Sequence, residues 1–207
     1  MTTLYDKVYK LFNSWLSDEA EDYVTLSGLV DNQGIYVNGN CYTTTIDYFN
    51  YGLNFWELLN PQSAVLSSED NSIKITTPTS GEKKVNFPVL FASTDNCFVE
   101  MTYNGGSSQP IALSFNNTSN GSLGYLSHNG SSSFYNAIGS SNGNVSGTIR
   151  EGDVFRLVRI NNVNYFYQND RLLFSGTKSF STNFYIGFYT NSGRVQKWSN
   201  IIVGRLS

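Results

Sequence analysis

Charge is absent from the middle of this 207-residue chain, since residues 101–149 contain no Asp, Glu, Lys or Arg. Across the whole sequence 13 basic residues oppose 16 acidic ones, giving a net charge of -3, and no Lys/Arg run resembles a nucleic-acid footprint. Long apolar runs are also absent, because no window approaches the roughly 18 apolar residues of a membrane span. We therefore expect neither a nucleic-acid partner nor a membrane span.

Cysteine and histidine are equally scarce. Cys41 and Cys97 are too few and too far apart to predict a metal knuckle, a redox pair or a disulfide scaffold, so we expect two reduced thiols. The single histidine, His128, has no charged residue in its own segment that could orient it within a nucleophile triad. The Asp and Asn residues show no dense oxygen-ligand spacing of the kind that binds calcium. We therefore predict no cofactor and no metal site.

The N-terminal segment carries the only helical period in the sequence. Its apolar residues recur at spacings of three and four, which predicts a short amphipathic helix over about residues 3–17, within an N-terminal unit 1–20. These residues are Leu4, Tyr5, Val8, Leu11, Phe12, Trp15 and Leu16. Such a stripe is buried either on its own domain or against copies of itself, and we favour a homo-oligomer formed through this helix. Residues 1–7 lack the pattern of a signal peptide, so we expect a soluble protein.

After the helix the period becomes alternating, which predicts an all-β chain. Residues 21–54 are predicted to form a small β meander or linker, and residues 55–207 a β-sandwich of many short antiparallel strands. The predicted strands within the sandwich are 64–66, 72–76, 87–91, 97–103, 110–115, 123–127, 133–138, 154–160, 163–168, 171–175, 183–190 and 196–204. Asn161-Asn162 and Asn169-Asp170 predict tight two-residue turns, since Asn and Asp tolerate the left-handed backbone conformation.

The last third of the chain carries motifs with a family likeness. The segments 150–159, 164–170, 184–188 and 198–203 contain a Gly-Asp turn before a long strand, a Tyr-rich strand ending in an Asn-Asp turn, an Ile-Gly-Phe strand and a Trp-led closing strand. In this order they resemble the concanavalin A-like lectin/glucanase superfamily, over roughly residues 55–207. The resemblance implies an antiparallel two-sheet jelly roll of the laminin G-like kind, and it implies little about function because sites are grafted onto folds.

The acidic residues do not form a catalytic pair. The best-known enzymes of the superfamily use a Glu-x-Asp-x-x-Glu strand, in which alternation places the carboxylates on one face. That triad is missing here: Glu69 and Asp70 are adjacent and would point to opposite faces, while Glu151 and Asp153 flank a turn glycine. We therefore predict a protein that is not an enzyme.

Aromatic and amide side chains in the uncharged stretch are better candidates for a site. Sugars commonly stack on aromatic rings while amide and hydroxyl groups bind their hydroxyls. The predicted ligand-binding residues are Tyr125, His128, Asn129, Tyr135, Asn136, Tyr165, Tyr167 and Asn169.

Three functions are compatible with these features. The leading hypothesis is a noncatalytic, lectin-like module that binds a cell-surface glycan or polysaccharide, and a virion- or tail-associated adhesion role would fit the attachment helix. The alternatives are a divergent glycan-cleaving enzyme and a structural protein-interaction module.

Overall fold

The computed structural model describes residues 35–50, 64–69, 72–76, 83–106, 112–119, 121–128, 133–139, 143–190 and 193–207. This part of the chain is all β, which confirms the predicted fold class. Its strands are β1 (Ile35–Val37), β2 (Asn40–Tyr42), β3 (Thr44–Asn50), β4 (Val65–Glu69), β5 (Ser72–Thr76), β6 (Lys83–Phe91), β7 (Cys97–Gly106), β8 (Ala112–Asn117), β9 (Ser122–His128), β10 (Ser133–Asn136), β11 (Gly143–Ser146), β12 (Val154–Ile160), β13 (Val163–Gln168), β14 (Arg171–Thr177), β15 (Phe184–Thr190) and β16 (Val195–Leu206). No helix in the described ranges is long and apolar enough to cross a bilayer.

The strands form two large antiparallel sheets and one small hairpin. The six-stranded sheet has the order β11-β10-β9-β8-β15-β6, and the eight-stranded sheet has the order β14-β13-β12-β7-β16-β5-β4 with β3 also paired to β16. β16 pairs with β7 along one edge, while its other edge pairs first with β5 and then with β3. β1 and β2 form the separate hairpin.

Asn and Asp residues set the register of the hairpins. Asn161 and Asn162 have φ angles of 49° and 67°, and Asn169 and Asp170 have φ angles of 50° and 65°. Two successive positive φ angles match the twist of the flanking strands, so β12, β13 and β14 follow one another directly. Both predicted turns are confirmed.

The core lies between the two large sheets and is rich in aromatic rings. Strand alternation sends one side chain in two into it, as along β15, where Phe184, Ile186 and Phe188 are buried. Trp198 of β16 packs edge-on against Tyr103 at 5.5 Å between ring centroids. A second apolar cluster lies on the other side of the eight-stranded sheet, where the β1–β2 hairpin packs.

Several predictions fall outside the described residues. They include the helix over 3–17, the N-terminal unit 1–20 and the boundary at residue 55. On the N-terminal side of that boundary, β3 is hydrogen bonded to β16, so the segment 44–50 extends the eight-stranded sheet.

Candidate functional site

The outer face of the six-stranded sheet presents rings and amides. Because Phe184, Ile186 and Phe188 point into the core, alternation directs Tyr185, Gly187 and Tyr189 to the opposite face. The same rule directs the following side chains outward on the neighbouring strands: Asn86, Ser114, Asn116, Tyr125 and Tyr135. None of the six strands contains Asp or Glu, and Lys84 is the one buried charged residue among their described side chains.

Three tyrosines form a row across this face. The rings of Tyr125 in β9 and Tyr189 in β15 are stacked, with centroids 4.9 Å apart and planes at 14°. The ring of Tyr135 in β10 lies 5.6 Å from that of Tyr125 at 32°. In the described part of the chain no further ring contacts Tyr135, which therefore ends the row. We call these three residues the tyrosine row.

Polar groups flank the end of the tyrosine row. Tyr135 is opposite Asn144 of β11 on one side and Ser127 of β9 on the other. Asn144 is exposed, and Tyr135 and Ser127 are half-buried. The Tyr135 ring thus has amide and hydroxyl groups beside it, which is the combination that holds a sugar.

An amide bridge crosses the same face on the other side of the row. Asn116 Nδ2 in β8 donates to Asn86 Oδ1 in β6 at 2.7 Å, although β15 lies between these strands. Gly187 of β15 leaves room for the bridge, because a Cβ there would collide with the Val85 carbonyl oxygen and lie 2.8 Å from Asn86 Oδ1. Asn116 Oδ1 and Ser114 Oγ are buried and have no hydrogen-bond partner. These are two unsatisfied polar atoms on one strand face.

The structure brings only some of the predicted site residues together. Tyr125 and Tyr135 lie side by side in the tyrosine row. His128 lies in β9 with Tyr125, and Asn136 lies in β10 with Tyr135, but alternation turns both to the opposite face of the sheet. They point into the sandwich, where they are 1% and 2% exposed. Asn129 lies outside the described residues.

His128 and Asn136 have structural partners inside the sandwich. His128 Nε2 donates to the Gly147 carbonyl oxygen at 3.0 Å, and the His128 ring packs edge-on against Phe134 at 4.8 Å. Burial lowers the pKa of His128, and the hydrogen bond to Gly147 offsets part of that effect. Asn136 Nδ2 donates to the Gly143 carbonyl oxygen at 2.9 Å, which fastens β10 to β11. Both side chains therefore point away from the outer face that carries Tyr125 and Tyr135.

The remaining predicted residues lie on the opposite sheet. Tyr165 and Tyr167 belong to β13, on the outer face where the second apolar cluster packs, and Asn38 Nδ2 donates to the Tyr165 hydroxyl at 3.2 Å. Burial raises the pKa of Tyr167, with a further rise from Tyr165. Asn169 holds its turn: its Oδ1 accepts from the Val154 amide at 2.8 Å and its Nδ2 donates to Asp153. These three residues are therefore separate from the tyrosine row.

Of the carboxylates weighed as catalytic candidates, Asp153 holds a turn. Asp153 Oδ2 accepts hydrogen bonds from the Arg150 amide and from Gln168 Nε2, at 2.8 and 2.7 Å. Glu151 is exposed, and Asp70 lies outside the described residues. Within the described ranges, no three His, Cys, Asp or Glu side chains are grouped as metal ligands.

Sequence reasoning missed Tyr189, Ser114, Asn116 and Asn86. A signal for Tyr189 exists in the alternation of β15, whose apolar positions Phe184, Ile186 and Phe188 leave Tyr185 and Tyr189 facing outward. No such signal exists for the amide bridge, because it depends on the order of β8, β15 and β6 in the sheet.

Solved structures are similar to the chain in fold. A Bacillus subtilis protein of unknown function with a galectin-like fold has a TM-score of 0.58 at 11% identity, covering 80% of this chain and 98% of that one. The carbohydrate-binding module CBM66 from Bacillus subtilis has a TM-score of 0.54 at 9% identity, covering 72% and 95%. A sialidase has a TM-score of 0.54 at 14% identity over 70% of this chain, but the match spans only 16% of the sialidase.

Sequence comparison adds nothing to this likeness, since no protein-family profile and no curated protein matches the chain. One of these neighbours has a galectin-like fold, and the match covers 98% of its length. The fold expected from the sequence motifs is therefore confirmed: the chain has the concanavalin A-like jelly-roll fold.

Proposed function

We propose that the protein is a noncatalytic carbohydrate-binding module that holds a neutral sugar against the ring of Tyr135. The observation that carries the proposal is the tyrosine row, which ends in a half-buried ring on a sheet face without acidic residues. A sugar ring offers an apolar face for stacking and a rim of hydroxyls, and Ser127 and Asn144 beside Tyr135 match that rim. The likeness in fold to a carbohydrate-binding module supports the same proposal.

A glycan array tests the proposal with two matched tyrosine variants. Tyr135→Ala removes the end of the row, whereas Tyr36→Ala removes a ring that is 70% exposed on the β1–β2 hairpin, away from the six-stranded sheet. We expect the wild type and Tyr36→Ala to bind the same glycans and Tyr135→Ala to lose them. A wild type that binds no glycan while capturing a protein partner would favour a protein-interaction module instead.

A glycan-cleaving enzyme is the second candidate, because a sialidase shares part of the fold. Most glycosidases use two carboxyl groups that flank the glycosidic bond, sialidases with their tyrosine nucleophile being an exception, and the strands of the six-stranded sheet contain neither Asp nor Glu. We therefore expect no new reducing ends when the protein is incubated with the glycans that it binds. Glu151→Gln and Asp153→Asn should leave binding intact.

The virion- or tail-associated role stays a prediction.

A further inference from the structure

Two buried polar atoms on β8 lack any hydrogen-bond partner. They are the Ser114 hydroxyl and Asn116 Oδ1, and both side chains are fully buried. Buried polar groups in folded proteins are almost always hydrogen bonded, so a pair of unsatisfied groups on one strand face calls for an explanation. Alternation places Ser114 and Asn116 on the same side of β8, about 6.7 Å apart along the strand.

The fold holds Asn116 with its carbonyl oxygen free. Its Nδ2 is used by Asn86 at 2.7 Å, so Oδ1 is left as an acceptor. An acceptor of this kind requires a donor, and the hydroxyls of a sugar are donors whereas ionised carboxylate and sulfate groups are not. The Ser114 hydroxyl both donates and accepts, which suits a second sugar hydroxyl.

The unsatisfied pair is too far from Tyr135 for one sugar ring to reach both. Tyr135 lies in β10 and the pair lies in β8, with β9 between them. Two strand spacings give a separation of about 10 Å across the sheet, before any displacement along the strands is added. A chain of two or three sugar rings covers this distance.

The stacked rings of Tyr125 and Tyr189 lie across β8, the strand that carries Ser114. They come from the strands on either side of β8, so their contact lies above that strand. An offset stack of two rings changes an equilibrium constant by roughly twofold to tenfold, which the binding of an oligosaccharide can outweigh.

We propose that Ser114 and Asn116 form a second subsite for the hydroxyls of a neutral oligosaccharide whose first ring stacks on Tyr135. This inference rests on the proposed function and adds a ligand class: a linear neutral chain of at least two rings, bound across β10, β9 and β8. Lys84 is not part of this subsite, because it lies on the edge strand β6, opposite Tyr189, and already has an interaction of its own.

The test measures affinity against chain length, using the neutral glycan recovered from the array and its fragments of one, two and three rings. Ser114→Ala is the decisive variant, because removing an unsatisfied buried hydroxyl leaves folding stability unchanged or raised. We expect the wild type to bind three rings at least tenfold more tightly than one. Ser114→Ala should lose roughly threefold to tenfold for three rings and nothing for one. Asn116→Ala should show the same selective loss.

Other results separate the two proposals. If Tyr135→Ala abolishes binding but chain length and Ser114→Ala have no effect, the second subsite is wrong and the proposed function stands. An array on which only anionic glycans bind overturns the subsite and also the neutral ligand named in the proposed function. If no glycan binds, or if Tyr135→Ala binds like the wild type, both proposals fall.

Discussion

Arg156 and Glu100 form a buried ion pair between β12 and β7, and its loss has a predictable cost. The residues are register partners, the Glu100 side chain is 1% exposed and the Arg156 side chain is 14% exposed. Arg156 Nε donates to Glu100 Oε2 at 2.6 Å, and Nη2 contacts the same oxygen. Burial lowers the pKa of Arg156, but the carboxylates of Glu100 and Asp170 outweigh it and raise that pKa overall.

Arg156→Met would leave a buried carboxylate without its counter-ion. Glu100 Oε1 already has no partner, so both carboxylate oxygens would then be unsatisfied. Removing one member of a buried pair costs about 3–5 kcal/mol in the free energy of unfolding. The second contact of Arg156, to Asp170 at 3.1 Å, is more exposed and contributes about 1 kcal/mol or less.

Urea unfolding of three variants isolates the pair. Asp170→Asn keeps a residue that tolerates the positive φ of this turn, so it should lose about 1 kcal/mol or less. Arg156→Met should lose about 3–5 kcal/mol, and Glu100→Met combined with Arg156→Met should recover most of that loss, because a matched apolar pair often replaces a buried ion pair without cost. The reasoning is refuted if Arg156→Met costs no more than Asp170→Asn.

Three further outcomes follow from buried groups. The pKa of His128 is lowered below its ordinary 6.5, so the unfolded chain binds more protons than the folded chain as pH falls through 6.5. The stability of the wild type should therefore fall between about pH 7.5 and 5.5 more steeply than that of His128→Gln. Parallel urea midpoints for the two proteins would contradict this. Cys41 is exposed whereas burial raises the pKa of the Cys97 thiol, so a thiol reagent should titrate one group in the native protein and two in denaturant. Gly187→Ala should lose about 1–3 kcal/mol, since its methyl group meets backbone and the amide bridge, and an unchanged unfolding midpoint would show that the bridge has room.

Most strands were predictable because their signals are local. The alternation of β12 and β13 and the Asn-Asn and Asn-Asp turns specify a hairpin without help from the rest of the chain. β11 was missed because Gly143–Ser146 is rich in Gly, Ser and Asn and becomes a strand only by pairing with β10. The place of β3 in the eight-stranded sheet was not predictable from the meander expected over 21–54, because its partner is the last strand of the chain.

The candidate site was predictable only in part. Tyr125 and Tyr135 lie in the uncharged stretch and do meet, but alternation separates them from their neighbours His128 and Asn136. Grouping residues by sequence segment therefore mixed two faces of one sheet. The contact between Tyr125 and Tyr189 depends on the placement of β15 beside β8, which no local pattern specifies.

The central claim is that a neutral sugar stacks on Tyr135, and titration calorimetry with the best array glycan tests it most directly. A single site of this kind should bind with a Kd on the order of 10 μM to 1 mM, nearly unchanged between low and moderate salt because no charge is involved. Tyr135→Ala should lose roughly 1–3 kcal/mol of binding with its unfolding midpoint preserved, while Tyr36→Ala binds like the wild type. Equal affinity of Tyr135→Ala and the wild type, with both folded, would contradict the claim.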